Sequence, residues 1–213
     1  MGGLTDLKQS IRKNLPGPVR HLLRVGRILV SPNGQRSPQI KPELVRNCRF
    51  FASRYEMVHH LPKQAEVAEV GTDKGLFARH ILKVAQPATL HLFDLDFGRL
   101  VADVAGDARV KCHRGASAKM LATMADATLD WIYIDGDHSY EGVAADIRVA
   151  AQKVKPGGYL VFNDYAHADP YLGRYGVHRA VTEFANAAGW PLVMFAHEPS
   201  ALYDVALQRP RAG

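Results

Sequence analysis

Apolar positions along this chain follow two periods. From about residue 66, short apolar runs alternate with amphipathic segments: "EVAEV" (66–70), "LHLFDLD" (90–96), "RVKCHRG" (109–115), "LDWIYID" (129–135) and "GYLVFND" (158–164). Runs of this length separated by helical spacing predict stacked β-α-β units and a parallel sheet. The helical period is clearest where Val143, Ile147, Ala150, Ala151 and Val154 share one face ahead of the stop signal "KPGG", and again at Val177, Ala180, Val181, Phe184 and Ala188. The last two runs, "PLVMFAHE" and "ALYDVALQR", are separated only by the residues around Pro199-Ser200. So short a link cannot cross over the sheet, so these two strands pair antiparallel. The expected fold is α/β: a doubly wound, mostly parallel seven-stranded sheet over residues 61–213, closed by an antiparallel hairpin. Residues 1–60 read as a helical extension with a loop at "SPNGQRSPQ" (31–39).

Composition changes the picture mainly at the N-terminal end. The 213 residues are 47% hydrophobic, enough for one sizeable core and short for two. Ten of the 27 Lys and Arg fall in the first 50 residues, against only Asp6 and Glu43, so the net charge of +6 belongs to this segment. Leu22, Val25 and Leu29 fall on one side of a helix there and Arg20, Arg24 and Arg27 on another. A basic amphipathic helix suits weak membrane-surface contact or a lid over an anionic substrate, and equally a solvated face; a lid or an oligomer contact is favoured over membrane attachment. No apolar stretch reaches the length of a membrane span, which points to a soluble, cytoplasmic protein. The start "MGGLTD" has Asp6 where a myristoylation signal needs Ser or Thr. Cys48 and Cys112 make no disulfide framework and have no metal-ligand spacing; Cys112, in a strand-like run, reads as a small buried hydrophobe.

The candidate chemistry begins after the first predicted strand, in Glu69-Val70-Gly71-Thr72-Asp73-Lys74-Gly75. Gly71 and Gly75 allow a tight turn and close backbone approach to a ligand. Glu69 and Asp73 add negative charge where a pyrophosphate would need open amides, so the turn suits a cationic ligand carrying ammonium or sulfonium groups. Asp94, ending the next strand, is placed to accept ribose hydroxyls, in preference to Asp96. Ser117 in "GASAKML" can cap the following helix and also reach an adenine edge.

With "IDGDHSYEGVAADIRVAAQKVKPGGYLVFNDY", these residues resemble the class I S-adenosylmethionine-dependent methyltransferases, in particular the group of macrocin-type sugar O-methyltransferases and cephalosporin hydroxylase-like proteins. The resemblance covers roughly residues 60–190 and is most specific in "DGDHSYEG", "KPGG" and "FNDY". It implies S-adenosyl-L-methionine as cofactor, lined by Glu69, Gly71, Asp94, Ala116 and Ser117, with Thr72, Asp73, Gly75 and Asp135 in the same loops. It also implies that Asp135 is the metal carboxylate and that either Asp137 or His138 is the catalytic base.

The residues themselves support a reaction end. In an open α/β sheet, ligands sit outside the carboxyl ends of the strands. Asp135 ends the fourth strand and Asn163 with Asp164 the fifth, so all three project into one crevice. Two carboxylates and an amide oxygen make a hard-cation site, for which Mg²⁺ is the natural occupant. It would lower the pKa of a hydroxyl and align it for methyl transfer. His138 is preferred as the base, because an ordinary imidazole titrates near neutrality whereas Asp137 would need a considerable upward shift. Asp137 can instead orient the histidine, bind the metal's water, or simply shape a loop in which Ser139 caps the next helix. His167 reads as a loop histidine, and Tyr140 and Tyr165 either wall the acceptor pocket or pack. The expectation is a Mg-assisted O-methyltransferase acting on a hydroxyl of a small molecule or sugar-containing metabolite, with nucleic acid disfavoured as a partner and a homo-oligomer open. The alternatives are an RNA methyltransferase, drawn from the basic segment, and an inactive S-adenosylmethionine-binding protein.

Overall fold

A computed structural model describes residues 37–166, 168–169 and 173–211, with positions 16, 18, 19, 22 and 26. Strands β2 (Glu66–Val70) and β5 (Leu129–Ile134) lie side by side at the centre of one sheet. From β2 the chain winds outward through β3 (Thr89–Asp94) to β4 (Val110–Arg114), and from β5 through β6 (Val154–Tyr165) to the far side. The order reverses between β2 and β5, the position at which open α/β sheets hold ligands at the carboxyl ends of their strands.

After β6, β7 (Ala168–Asp169) and β8 (Gly173–Arg174) pair antiparallel as a separate two-stranded sheet, and the other half of the main sheet is closed by β9 (Leu192–Ala196) and β10 (Tyr203–Gln208), with β10 antiparallel to both β6 and β9. This is the hairpin that the short link at Pro199-Ser200 requires. An eighth strand extends the expected seven: β1 (Arg49–Phe51) pairs parallel with β9 at the edge, within the stretch read as helical. "RFF" is too short for any period to show, and its Phe51 pairs with Ala196 of a strand built from the other end of the chain.

Helices cover both faces. On one, α1 (Arg54–Val58), α2 (Leu76–Val84) and α3 (Ala102–Ala105) pack Met57, Val58, Phe77, Ile81 and Val104 against Val67, Trp131 and Tyr133. On the other, α4 (Ser117–Leu121), α5 (Tyr140–Lys153) and α6 (Val177–Ala188) cover Ala68, Phe93, Ile132 and Phe162. Burying aromatic and branched side chains of this size contributes about 1.5–3 kcal/mol each, which is what holds short helices such as α1 and α4 in place.

Three local expectations change. Helix α5 ends at Lys153, whose ammonium is buried and bonds Asp126 at 2.6 Å, so Val154 and "KPGG" belong to β6. Cys112 is exposed rather than buried, because β4 is the other sheet edge and its outer residues have no further strand to cover them. Ser117 is the first residue of α4, after the cap position of Ala116, and its hydroxyl makes no cap bond. Pro18, Val19, Leu22 and Gly26 are helical, whereas the Val25, Leu29, Arg20, Arg24 and Arg27 of the expected basic helix lie outside the described residues, as does His167.

Candidate active site

The carboxyl ends of β2, β5 and β6 carry the polar residues, and the site is assembled by how tightly their loops approach. Gly71 follows β2 with φ +83°, and a Cβ there would fall on the carbonyl of Asp135. The amide of Asp135 in turn donates to the carbonyl of Val70 at 2.8 Å, so the two loops are stitched at the point where the sheet divides. Gly75, also left-handed, would meet Leu100 Cδ1 at 2.5 Å with any side chain. The intervening Asp73 holds a positive φ of 48°, pairs with Arg99 at 2.7 Å, and donates its amide to Asp94 Oδ2 at 2.8 Å. Asp94 Oδ1 accepts from the amide of Asp96 at 3.2 Å, so this carboxylate pins the loops after β2 and β3 beside each other.

Glu69 is 2% exposed on the inner end of β2. Burial pushes its carboxyl up to about 8. The Thr72 hydroxyl lies near enough to oppose that shift without closing a hydrogen bond, and neighbouring Asp135 adds to it. Ser117 donates to Asp146 Oδ1 at 2.6 Å, which commits its hydrogen to the protein; Ala116 beside it is exposed. Asp146 itself is buried on α5 beneath Gly136, and burial raises its pKa.

At the reaction end, His138 is the convergence point. Its Nε2 lies 3.5 Å from Asp135 Oδ1, 3.5 Å from Asp164 Oδ2 and 3.4 Å from Asn163 Oδ1. The imidazole stacks on the buried ring of Tyr175, with centroids 4.5 Å apart, and the His138 carbonyl accepts from the Gly176 amide at 2.7 Å. Asp135 is driven well above the usual carboxylate range by burial; Arg54 opposes this and Asp164 and Asp204 reinforce it. Asp137 does not join the group. Its two oxygens accept from the Ser139 amide and hydroxyl at 2.8 and 2.9 Å, and Ser139 Oγ accepts from the Gly142 amide as the N-cap of α5. Tyr165 and Tyr140 are engaged in packing: Tyr165 shares a hydrogen bond with Thr182, and Tyr140 donates to Glu183.

Behind this cluster stands a layer the sequence did not single out. Asp204, fully buried on β10, accepts from Tyr133 OH at 2.5 Å and from Asn163 Nδ2 at 3.1 Å. Burial pushes it up to about 7 despite the Tyr133 bond. Since Nδ2 of Asn163 is committed to Asp204, its oxygen is turned toward His138. Arg54 on α1 reaches the same place, donating from Nη1 to Tyr133 OH at 3.3 Å. The available signals were an acid inside the apolar run of the last strand and one arginine just beyond the ten basic residues of the first 50; only the first is distinctive.

The donor set around His138 has hard-cation chemistry, with two carboxylates and an amide oxygen. Here the oxygens converge on an imidazole nitrogen, and among the described residues no three His, Cys, Asp or Glu side chains are gathered as a metal site. The glycine-turn end fits a cationic ligand on structural grounds, since buried Glu69 Oε2 has no hydrogen-bond partner.

A doubly wound sheet with a glycine turn and acids at its switch point defines a ligand-binding α/β domain of the nucleotide-cofactor type. Residues 68–165 match a family model described as a methyltransferase domain. The fold agrees with an O-methyltransferase family protein from Burkholderia thailandensis: TM-score 0.56, 17% identity, 75% of this chain and 56% of that one. It also agrees with the N-methyltransferase NodS from Bradyrhizobium japonicum, solved with S-adenosyl-L-homocysteine: TM-score 0.57, 16% identity, 74% of this chain and 86% of that one. A 37-residue stretch is 46% identical to an uncharacterised protein of Acanthamoeba polyphaga mimivirus, covering 17% of each chain. Residues 68–165, which span both the glycine turn and the His138 cluster, thus match a methyltransferase domain, and the fold is shared with solved methyltransferases, although the chain spans only about half the length of the Burkholderia protein. No helix among the described residues is long and apolar enough to cross a membrane.

Proposed function

We propose that this domain transfers the methyl group of S-adenosylmethionine to a hydroxyl of a small or sugar-containing acceptor, with His138 as the base. The observation that carries this reading is the position of His138 Nε2 among Asp135, Asn163 and Asp164, at the carboxyl ends of two adjacent strands. The donor supplies an electrophilic methyl on sulfur. As the acceptor oxygen forms its bond to that methyl carbon, the carbon–sulfur bond breaks, its electrons leave with S-adenosylhomocysteine, and the hydroxyl proton passes to His138 Nε2. The carboxyl oxygens of Asp135 and Asp164 face the cation so formed, whose charge favours ionisation of the buried Asp135, and Tyr175 stacks on the ring. Asn163, held by Asp204, adds a neutral oxygen to the same side.

Asp135, Asn163 and Asp164 would also be the residues to hold Mg²⁺, which would acidify the acceptor hydroxyl. The steps above do not depend on it. In an acceptor screen, His138→Ala should lower turnover by about 100-fold or more while the calorimetric affinity for S-adenosylhomocysteine changes by less than about twofold. Turnover retained in that variant would remove the base from the mechanism. Chelation separates the metal question: activity lost to a chelator and restored by Mg²⁺ supports the metal, and unchanged activity dismisses it.

A further inference from the structure

Three neighbouring strands each send one side chain into a hydrogen-bonded line that the chemistry at His138 does not use. Glu66, His91 and His113 share a sheet face with Ala68 and Phe93, through the alternation of β2 and β3 and the pairing of Phe93 with His113. His91 Nε2 lies 2.7 Å from Glu66 Oε1, and His91 Nδ1 lies 2.8 Å from His113 Nε2. The His91 ring is 6% exposed, while His113 is half-buried and stacks on Phe93 with centroids 4.5 Å apart. The strand that carries His113 is a sheet edge, paired by β3 alone among the described residues.

Counting hydrogens shows what this line tolerates. An ionised Glu66 only accepts, so the first bond uses the hydrogen on His91 Nε2. Between the two ring nitrogens there is room for one hydrogen, whichever ring carries it. A neutral pair meets that condition with His113 donating, and a single imidazolium on His91 meets it by donating to both sides, its charge balanced by Glu66. Two imidazoliums do not, because N–H would face N–H and two like charges would stand at hydrogen-bond distance away from water. Burial holds the pKa of His113 below the ordinary 6.5, and His91 and Lys111 lower it further. The charged groups around it are His91 from β3, Lys111 from its own strand and Glu66 of β2 behind His91; α4, packed on β3, brings Lys119, which is exposed. The unfolded strand therefore takes the second proton more readily than the folded one. The line is intact above the ordinary imidazole range and fails as pH falls below it.

We propose that Glu66, His91 and His113 form an acid-sensitive latch on the edge strand β4, closed while the two histidines share one hydrogen and opened by a second proton. Closed, it ties β4 to β3 through side chains as well as backbone; open, the rings part and β4 loosens. Just beyond the latch the Gly115 amide donates to the Asp94 carbonyl at 2.9 Å, and Asp94 pins the loops after β2 and β3. Opening thus reaches the end of the sheet where the methyl donor would bind. That last link rests on the reading above, whereas the loosening of β4 does not.

Amide exchange over residues 110–114, referenced to β3, tests the latch at about pH 7.5 and about pH 5, alongside calorimetry with S-adenosylhomocysteine. The proteins are wild type and His113→Gln, whose carboxamide keeps a hydrogen-bonding group near the place of Nε2 and takes no proton. Acid should cost wild type about tenfold or more in β4 protection and weaken its ligand binding, while His113→Gln changes by less than about twofold in both. Undiminished protection in wild type would overturn the latch, and so would an equal drop in the variant. Should His113→Gln not fold, imidazole NMR of wild type decides. The two rings should titrate as a coupled pair, with the second proton entering below about pH 6; a His113 that titrates at its ordinary value without a response from His91 overturns the latch. Loosening of β4 at unchanged ligand affinity would overturn its coupling to the donor site. Wild type that loosens in acid but binds no S-adenosylhomocysteine at about pH 7.5 would support the latch and overturn the methyl-donor reading.

Discussion

Glu69 carries its charge state as a function of its surroundings. Its folded pKa, near 8, stands above the ordinary 4.5, so the folded protein keeps a proton that the unfolded chain releases. The stability tied to that proton is fully present below about pH 4.5 and is lost as pH rises through about 8. Denaturation midpoints should therefore fall between pH 5 and 8.5, and Glu69→Gln, which has no proton to lose, should flatten part of that slope. An identical slope in the variant would mean that Glu69 is ionised throughout. Asp204, pushed to about 7, contributes a slope of the same sign. Neither effect was legible in the chain: Glu69 was recognisable as an acid before a glycine turn, but its burial at the centre of the sheet, which sets its behaviour, is a product of the fold. His138 shows the opposite case, because "DGDHSY" at a strand end already places an imaginable base beside two acids. Asp137 shares that motif and is nevertheless turned aside by its bonds to Ser139, a choice made by loop geometry that residue type does not encode.

The strand–loop–helix units determine where those residues point. In the β2–α2 unit, Gly71 lets two loops touch, and Gly71→Ala would impose about 1–3 kcal/mol of backbone strain together with a collision against the Asp135 carbonyl. The expected result is a lower melting temperature and displacement of Asp135, read as weaker S-adenosylhomocysteine binding; a variant as stable and tight-binding as wild type would show that the loops part easily. Strand β5 and the start of α5 were readable because "WIYI" is apolar throughout and Ser139 caps three residues before Gly142. The boundary between α5 and β6 was not, since the spacing that includes Val154 continues past the point where Lys153 bonds Asp126. Ser117 resembled a cap by sequence and is a donor to Asp146, a partner 29 residues away that no local pattern connects to it.

At the scale of the molecule, alternation of runs was enough to predict the winding, and the short link at Pro199-Ser200 the antiparallel pair. The edge strand β1 was hidden, because three residues have no period, and with it the fact that Arg54 starts a helix that leans over the sheet. The basic segment before residue 37 belongs to a different question. Removing residues 1–35 spares Arg54 and should raise the KM for the acceptor while leaving S-adenosylmethionine affinity nearly unchanged; an equal loss of both would tie that segment to the cofactor instead.

Strand β10 has a further consequence. It lies between β9 and β6, and its Asp204 bonds Tyr133 and Asn163, both made much earlier in the chain. A polypeptide still emerging from the ribosome can wind its parallel half, yet the Asp204 side chain that orients Asn163 reaches the His138 cluster only once residues 203–208 have cleared the exit tunnel. Translation that stalls before that point leaves β6 and β9 with open edges and Asn163 without the partner that turns its oxygen toward His138.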